Sequence, residues 1–551
     1  MDKTLTDAIS AIRPKMNPIV AKGLATVQIP LAMEYLRSII QTFSSSTMFP
    51  DGLSFHSIER CTPQEEVEII AKKRSGKRII DIAKNSVYMV KIKFTYFGEM
   101  LIPVYLFLPY VEDAGLMFIR GSHYMVLPTL ADTVISIETD NILVALLCAK
   151  LKFERLNYTF LLQGMPVAKT IVHSEIHNEI KRRSKNSPAA VNGKKSIALH
   201  YLFAKYGVRE TFKKYAKTEI FIGGFDEITT ENFPSDKFAI AEFFNRDSTR
   251  KKYSGAANVS KIRLAVKQKD LNETTLSFIA GFFYLLECFG GRIELEYLHN
   301  PHDEEIMWKT LLGLIVFSNG LNEGDLLNRI EEHFRSLDEY INELDKSLLH
   351  ASGVKVENVY DLFGWILNNY VEKTNNVAKE EPSLYGKHLG VLRHLLYDVI
   401  ACLNNARFKL TSESAKLKNG MKLTKEDIEK ILRDSIKTDV IMSAPATHSE
   451  LASVACPGDN RLFKITNFIV PQSKSGKSAN NNHDRSISMK ASSALHVSKA
   501  EVSTFVNISQ ADYVGNNKIN PYVMLTPEAK VIRNPKYIEM LDRAQEIIDA
   551  Q

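Results

Sequence analysis

Apolar positions recur along this chain with two distinct periods. From Leu327 through Ile330, Phe334, Leu337, Ile341, Leu344 and Leu348 they step by three and four, which sets them on one face of a helix. The same spacing returns over Leu389–Leu403, and Thr424 followed by Asp427 reads as a capping box that opens another helix. Between Ser86 and Tyr110 the period shortens to two. "SVYMVKIKFTYFGEMLIPVYLFLPY" alternates apolar and polar residues and is rich in Val, Ile, Tyr and Phe, which predicts strands. A turn is expected at Glu112–Gly115, then a further strand-like run, "LMFIRGSHYMVLP", broken by a hairpin turn at Gly121-Ser122. The first 85 residues or so read as largely helical and close on the basic run "KKRSGKR" at Lys72–Arg78. The stretch from about 150 to 320 mixes helix-like and strand-like pieces.

After Cys456 neither period is present. Pro471–Lys499 is rich in Ser, Asn and Lys with little to bury, as in a linker or a loop ordered against a partner. Then comes "NKINPYVMLTPEAKVIRNPKY", Asn517–Tyr537. Its prolines, Pro521, Pro527 and Pro535, each fix the backbone and remove an amide donor, so neither a long helix nor a central strand fits. A terminal helix follows, with Asn534 at its N-cap, Pro535 in the first position, and Tyr537, Ile538, Leu541 and Ile548 as its apolar face. The expected fold is mixed α+β and multidomain. Its parts are a helical and strand-rich region at 1–165, a mixed α/β lobe at 166–323, a helical region at 324–455, and an irregular segment with a terminal helix at 456–551.

Composition narrows the class. The 551 residues are 45% hydrophobic and 24% charged, as in an ordinary globular protein with a large core. A net charge of +6 permits a nucleic-acid partner without demanding one. Five cysteines lie far apart with no CxxC pair, which excludes a zinc ribbon and argues against a disulfide framework, so a reducing compartment is expected. The N-terminal "MDKTLTDAISAIRPKM" does not read as a secretory signal. Two apolar runs, Ile142–Leu151 and Leu276–Leu286, fall short of the ~20 residues a bilayer needs and are expected inside a core. No membrane partner is expected.

Most motifs fail on inspection. "SGKS" at Ser475–Ser478 has Pro471 where a phosphate-binding loop needs its first glycine. "HSEIH" sets His173 and His177 one turn apart on an expected solvated helix, but Ser174 stands where a metalloprotease has Glu. There is no GxSxG and no acidic cluster of the DxDGD type that would hold magnesium, so no catalytic residue and no bound cofactor are assigned to this chain. Three basic clusters, at 72–78, 181–195 and 250–252, are either solvated loops or phosphate contacts.

Several segments, taken in order, carry a resemblance. "LIPVYLFLPYVEDAGLMFIRGSHYMVLP" (Leu101–Pro128) runs from an extended apolar stretch into an acidic turn with glycine, a strand, and a second glycine turn. "PGDNRLFKITNFIVPQ" (Pro457–Gln472), "NNNHDRSIS" (Asn480–Ser488), "VNISQADYVGNNKINP" (Val506–Pro521) and "LTPEA" (Leu525–Ala529) follow. This order resembles the N-terminal half of the β subunit of multisubunit DNA-directed RNA polymerases. There a "P-L-M-T-x-x-G-T-F-x-I-N-G-x-E-R-V" block precedes a fork-loop region, a loop ending in "RIS", a "V-H-x-x-H-Y-G-R" element and a "C-P-x-x-T-P-E-G" turn. The chain departs from that pattern at named places. Arg485 stands alone where cellular enzymes have an Arg pair, Asp512 replaces the second His, and Ala529 replaces the glycine after Thr-Pro-Glu. The chain also stops soon after that turn, as in the split β subunits of phiKZ-related jumbo bacteriophages.

The resemblance implies RNA-polymerase β-like lobes in a nucleotidyltransferase complex. This chain would line the DNA channel and support the RNA–DNA hybrid, while Mg2+ is held by a partner subunit. Implied partners are other β and β′ subunits or fragments, DNA and nascent RNA, in the host cytoplasm or the virion. Implied nucleic-acid contacts are Gln472, Asn482, Arg485, Lys490 and Asn520, with Pro527 and Glu528 bracing the active centre. Two other readings stay open on composition: a phage virion structural protein, and a stand-alone DNA-binding replication protein.

Overall fold

The computed structural model describes the chain apart from residues 1–16, 45–49, 74–85, 177–195, 245–260, 318–322, 417–421, 444–450, 455–466, 470–496, 503–515 and shorter stretches that include 113–115, 127–128, 521 and 527–528. The fold is mixed α+β, as the two periods predict. It divides into two units, both discontinuous in sequence. One comprises Met1–Val134, Asn342–Gly353 and Lys379–Gln551, and the other Ile135–Ile341 and Val354–Ala378.

In the first unit the strand Val87–Tyr96 lies between Leu53–Arg60 and Val104–Pro109, antiparallel to both. Val90, Ile92, Phe94 and Tyr96 point inward, while Lys91 and Lys93 on the opposite face pair with Glu65 at 2.7 Å and Glu59 at 2.8 Å. Strand Val87–Tyr96 turns into Glu99–Met100 through Phe97-Gly98, with φ of +47° and +83°, the double left-handed turn that matches strand twist. The helical reading of the first 85 residues is right for Ala32–Ser44 and Pro63–Lys73 but misses Leu53–Arg60. That short segment has only eight residues, and pairing along its length with Val90–Tyr96 decides its state. Helix Leu392–Lys416 buries Leu396, Val399, Ile400, Leu403, Ala406 and Leu410. Thr424 caps Lys425–Ser435 by accepting the Asp427 amide, as its sequence predicts. The Tyr96 hydroxyl donates to the Leu423 carbonyl at 2.9 Å, fastening this helical part to the sheet.

The second unit is built on a seven-stranded sheet in the order Ile220–Gly223, Arg263–Lys267, Phe238–Glu242, Lys150–Leu162, Asn141–Ala145, Ile135–Ile137, with Met165–Ile176 also paired to Lys150–Leu162. Helix Glu273–Phe289 packs on it. Phe278, Ile279, Phe282, Phe283, Leu285 and Leu286 are buried there, so the apolar run 276–286 is core, and no helix among the described residues is long and apolar enough to cross a membrane. The run Ile142–Leu151 supplies most of strand Asn141–Ala145 and the start of Lys150–Leu162, with Ile142, Val144 and Leu151 buried.

Two expectations are corrected. The stripe Leu327–Leu348 is not one helix: Glu323–Asp338 ends before the buried Tyr340 and Ile341, and Glu343–Ala351 belongs to the first unit. A three-four spacing survives a short break, and no Gly or Pro marks this one. His173 is on a strand rather than a helix. Met165–Ile176 pairs with Lys150–Leu162 along its length, and the imidazole Nδ1 contacts the Ser196 carbonyl. Long-range pairing has overridden the local pattern, and His177 lies outside the described residues.

Candidate nucleic-acid interface

The segment Leu101–Pro128 and the later segments from Pro457 onward are over three hundred residues apart in sequence, yet strands within or directly flanking them pair in the first unit. Leu116–Ile119 and Ser122–Val126 form a hairpin closed by Ile119 opposite Ser122, with Gly121 at φ +79°. Ser122 therefore already belongs to the second strand, one residue earlier than its sequence reading. Ser122–Val126 is next paired by Leu451–Val454. Just beyond the hairpin, Thr129–Ala131 pairs with His388–Gly390, and Ile469 lies parallel to Thr129. Asn467–Ile469 in turn pairs with Asn516–Lys518. The excursion from 470 to 515 thus leaves and returns on adjacent strands.

A buried polar framework fixes the proline-rich segment that follows. Helix Val497–Val502 presents Ser498, Glu501 and Val502, none of them exposed. Ser498 Oγ accepts the Leu384 amide at 2.8 Å. The Glu501 carboxylate accepts the Tyr385 hydroxyl through Oε2 and the Asn534 amide through Oε1, each at 2.5 Å. Burial pushes the Glu501 carboxyl above its ordinary range, opposed by these two donors and by the Arg533 charge. The Tyr385 phenol is likewise pushed up by burial and by its carboxylate partner.

Asn520 is 7% exposed, its amide donates to the Val502 carbonyl at 2.8 Å, and its Oδ1 accepts the Tyr522 amide at 3.1 Å. The Asn534 side chain donates to the Tyr522 carbonyl at 3.0 Å. It occupies the N-cap position without capping through its side chain, while Pro535 opens the terminal helix as predicted. Tyr537 is buried there, but Ile548 is 54% exposed, so the apolar face is shorter than its pattern.

Beyond Asn520, Met524–Leu525 pairs with Val531–Ile532, and the Ala529 amide donates back to the Thr526 carbonyl at 2.8 Å. Ala529 has φ +65° and is fully buried. Left-handed backbone favours glycine, the residue of the resembled turn at this position.

The profile of the non-virion RNA polymerase subunit family matches residues 22–545. The chain belongs to that family. No curated protein matches it. As a subunit of a phage multisubunit RNA polymerase it has other polymerase subunits as partners. The non-virion character of the family gives no support to the virion location or to the virion structural reading.

Among the residues assigned to this polymerase subunit's site by sequence, Asn520 alone is described, and it is engaged inside the chain. Gln472, Asn482, Arg485, Lys490, Pro527 and Glu528 lie outside the described residues, as do "SGKS", the basic runs 181–195 and 250–252, and all of 72–78 but the end of helix Pro63–Lys73. Sequence reasoning missed Glu501, Ser498 and Tyr385. Their only local signal is the spacing of Val497, Glu501 and Val502 in a run otherwise poor in apolar residues. The described residues do not make a magnesium site: no three of His, Cys, Asp and Glu converge among them, and both Glu501 oxygens are taken by protein donors. The described cysteines Cys61, Cys288 and Cys402 are free thiols.

Proposed function

We propose that this subunit fills the place of the N-terminal half of a split polymerase β subunit, lining the DNA channel and supporting the RNA–DNA hybrid in the host cytoplasm. The observation that carries the reading is the convergence of Leu116–Val126 with Leu451–Val454, and of Thr129–Ala131 with Asn467–Ile469 and Asn516–Lys518. Leu451–Val454 and Thr129–Ala131 directly flank the blocks that carry the resemblance, so blocks related only by their order in sequence are brought onto neighbouring strands, as one β-like lobe requires. The left-handed backbone at Ala529, where the resembled turn has glycine, adds a second support.

On this reading Arg485 and Lys490 neutralise phosphates of the template or hybrid, and Gln472 and Asn482 offer amide donors beside them. Asn520, hydrogen-bonded within the chain, holds the loop from below, and Pro527 and Glu528 brace it. A carboxylate repels the nucleic-acid backbone, so Glu528 pairs with a neighbouring cation instead. Magnesium, held by a companion β′ subunit, would supply the electrostatic stabilisation of nucleotidyl transfer.

The test is a transcript carrying a photoreactive nucleotide near its 3′ end in the assembled polymerase. A cross-link within 470–490 of this chain is expected, together with faster loss of the transcript at raised salt in Arg485→Ala. A cross-link confined to other subunits, with salt stability unchanged in Arg485→Ala, would overturn the reading.

A further inference from the structure

The second unit carries an aromatic surface that no part of the reading above employs. The strand Ile220–Gly223 is at the edge of the seven-stranded sheet and, among the described residues, pairs only with Arg263–Lys267. Phe221 on this edge is 40% exposed, and Phe225 just beyond it is 43% exposed. Both rings are held in place. Phe221 lies against Phe233 and Phe238, with ring centroids 5.3 and 5.9 Å away. The Arg263 guanidinium sits 3.7 Å from the centre of the Phe225 ring and is itself fixed by Glu242 at 2.8 Å and by the Ile228 carbonyl at 2.9 Å. Exposed aromatic side chains that are already immobilised lose little entropy on binding, which suits them to anchor a partner.

Charge decides what the partner is. Exposed aromatics can stack on single-stranded bases, but such platforms work inside a cationic groove. Here six carboxylates stand between Glu219 and Glu242 with one lysine, Lys237, in a chain whose net charge is +6. Glu219 and Glu242 are neutralised by Lys267 and Arg263, whereas Asp226, Glu231 and Asp236 are exposed and have no ion-pair partner among the described residues. This rim repels a phosphate backbone and attracts cationic side chains. An apolar edge in a polymerase subunit is also a surface that its assembly has reason to cover.

We infer that the Phe221–Phe225 surface docks a basic segment of a companion polymerase subunit, with an apolar side chain seated against the two rings and Lys or Arg facing Asp226, Glu231 and Asp236. The inference uses membership of the polymerase subunit family and is independent of the β N-terminal assignment.

The test places photoreactive p-benzoylphenylalanine at Phe225 in the assembled polymerase; an exposed ring tolerates the change. The expected product is a cross-link to one companion subunit, at a peptide with Lys or Arg beside an apolar residue. Asp226→Lys combined with Glu231→Lys should lower that yield at least tenfold. Hydroxyl-radical labelling gives a check without substitution: Phe221 and Phe225 should oxidise in the isolated chain and be at least fivefold protected in the assembly. A cross-link to nucleic acid or to a second copy of this chain overturns the proposal. So does the absence of any cross-link, a yield indifferent to the charge reversal, or equal labelling of the rings in both states.

Discussion

Replacing Glu501 with Ala should release the C-terminal segment while leaving the Val87–Tyr96 sheet intact. Glu501 is fully buried and receives two donors, the Tyr385 hydroxyl and the Asn534 amide. Removing the acceptor strands both, at about 1–3 kcal/mol for each buried donor. Against this, the substitution removes a carboxylate that burial already disfavours in its charged form. The balance is about 2–4 kcal/mol of local stability, and at 1.4 kcal/mol per tenfold this is roughly thirty- to several hundred-fold more frequent opening. Glu501→Gln keeps an oxygen for Asn534 and drops the charge, so it should cost less than about 1 kcal/mol. The two variants also separate by pH. A carboxyl raised in the folded state contributes stability at pH below its unfolded value, and that contribution is lost as pH rises through the folded value. Protection of this corner should therefore increase as pH falls from 8 toward the carboxylate range in the natural protein and stay flat in Glu501→Gln. Hydrogen exchange of peptides spanning 497–502 and 519–534, corrected for intrinsic rates and referenced to 87–96, measures both effects. Unchanged protection of 519–534 in Glu501→Ala would refute the idea that this framework holds the segment.

Three further perturbations test separate parts of the fold. A Cβ at Gly364 would sit 2.1 Å from the Tyr215 ring, whose hydroxyl donates to Asp361 at 3.1 Å, so Gly364→Ala should destabilise the second unit by about 1–3 kcal/mol in urea unfolding. At Ala529, glycine would relieve about 1–2 kcal/mol of left-handed strain but lose a buried methyl worth about 0.8 kcal/mol and add about 0.4–1 kcal/mol of unfolded-state freedom, so Ala529→Gly should be neutral within about 1 kcal/mol. The branched Ala529→Val should cost more than about 2 kcal/mol in the same measurement. His200 is buried against Phe289 and Trp308, and burial holds its imidazole down to about 3 despite the Trp308 carbonyl at 3.0 Å. The unfolded chain binds the proton first, so stability should fall by up to about 1.4 kcal/mol per pH unit below about 6.5, and His200→Phe should flatten that slope in acid unfolding.

What the sequence made legible is what short-range physics decides. The alternation of Val87–Tyr96, the Thr424 cap, Pro535 at the first turn of the terminal helix and the burial of Leu276–Leu286 each depend on neighbours within a few residues. Leu53–Arg60 and the strand carrying His173 were misread because partners more than ten residues away set their state. The candidate site was half legible. Its ends, Leu101–Pro128 and Leu525–Ala529, show in the sequence through turn residues and order. Glu501 does not, because it lies in a stretch whose Ser, Lys and Ala resemble a linker, and only its distant donors Tyr385 and Asn534 give it a role. Charge was legible as a total but not as a distribution: the net +6 hides the acidic edge around Phe221.

The same long-range bonds set an order of assembly within the chain. Three prolines remove donors from 521–535, so beyond the short pairing of Met524–Leu525 with Val531–Ile532 this segment gains its rigidity from bonds to residues outside it. The Asn520 amide goes to Val502, the Asn534 amide to Glu501, and the Val523 carbonyl accepts the Asn17 side chain 506 residues away. Ser122–Val126 likewise waits for Leu451–Val454 to pair with it. The second unit, in contrast, is complete once Ala378 has been made, before more than half of the first unit exists. During synthesis it can close while Ser122–Val126 still lacks Leu451–Val454, and unpaired strand edges of that kind are where misassociation begins. The cost of loop closure across such separations slows the final step, and the Glu501 framework is among the bonds that complete it. Substitutions in that framework should therefore lower the yield of folded chain more than substitutions of equal thermodynamic cost in the second unit. That difference follows from when the bonds form, not from how strong they are.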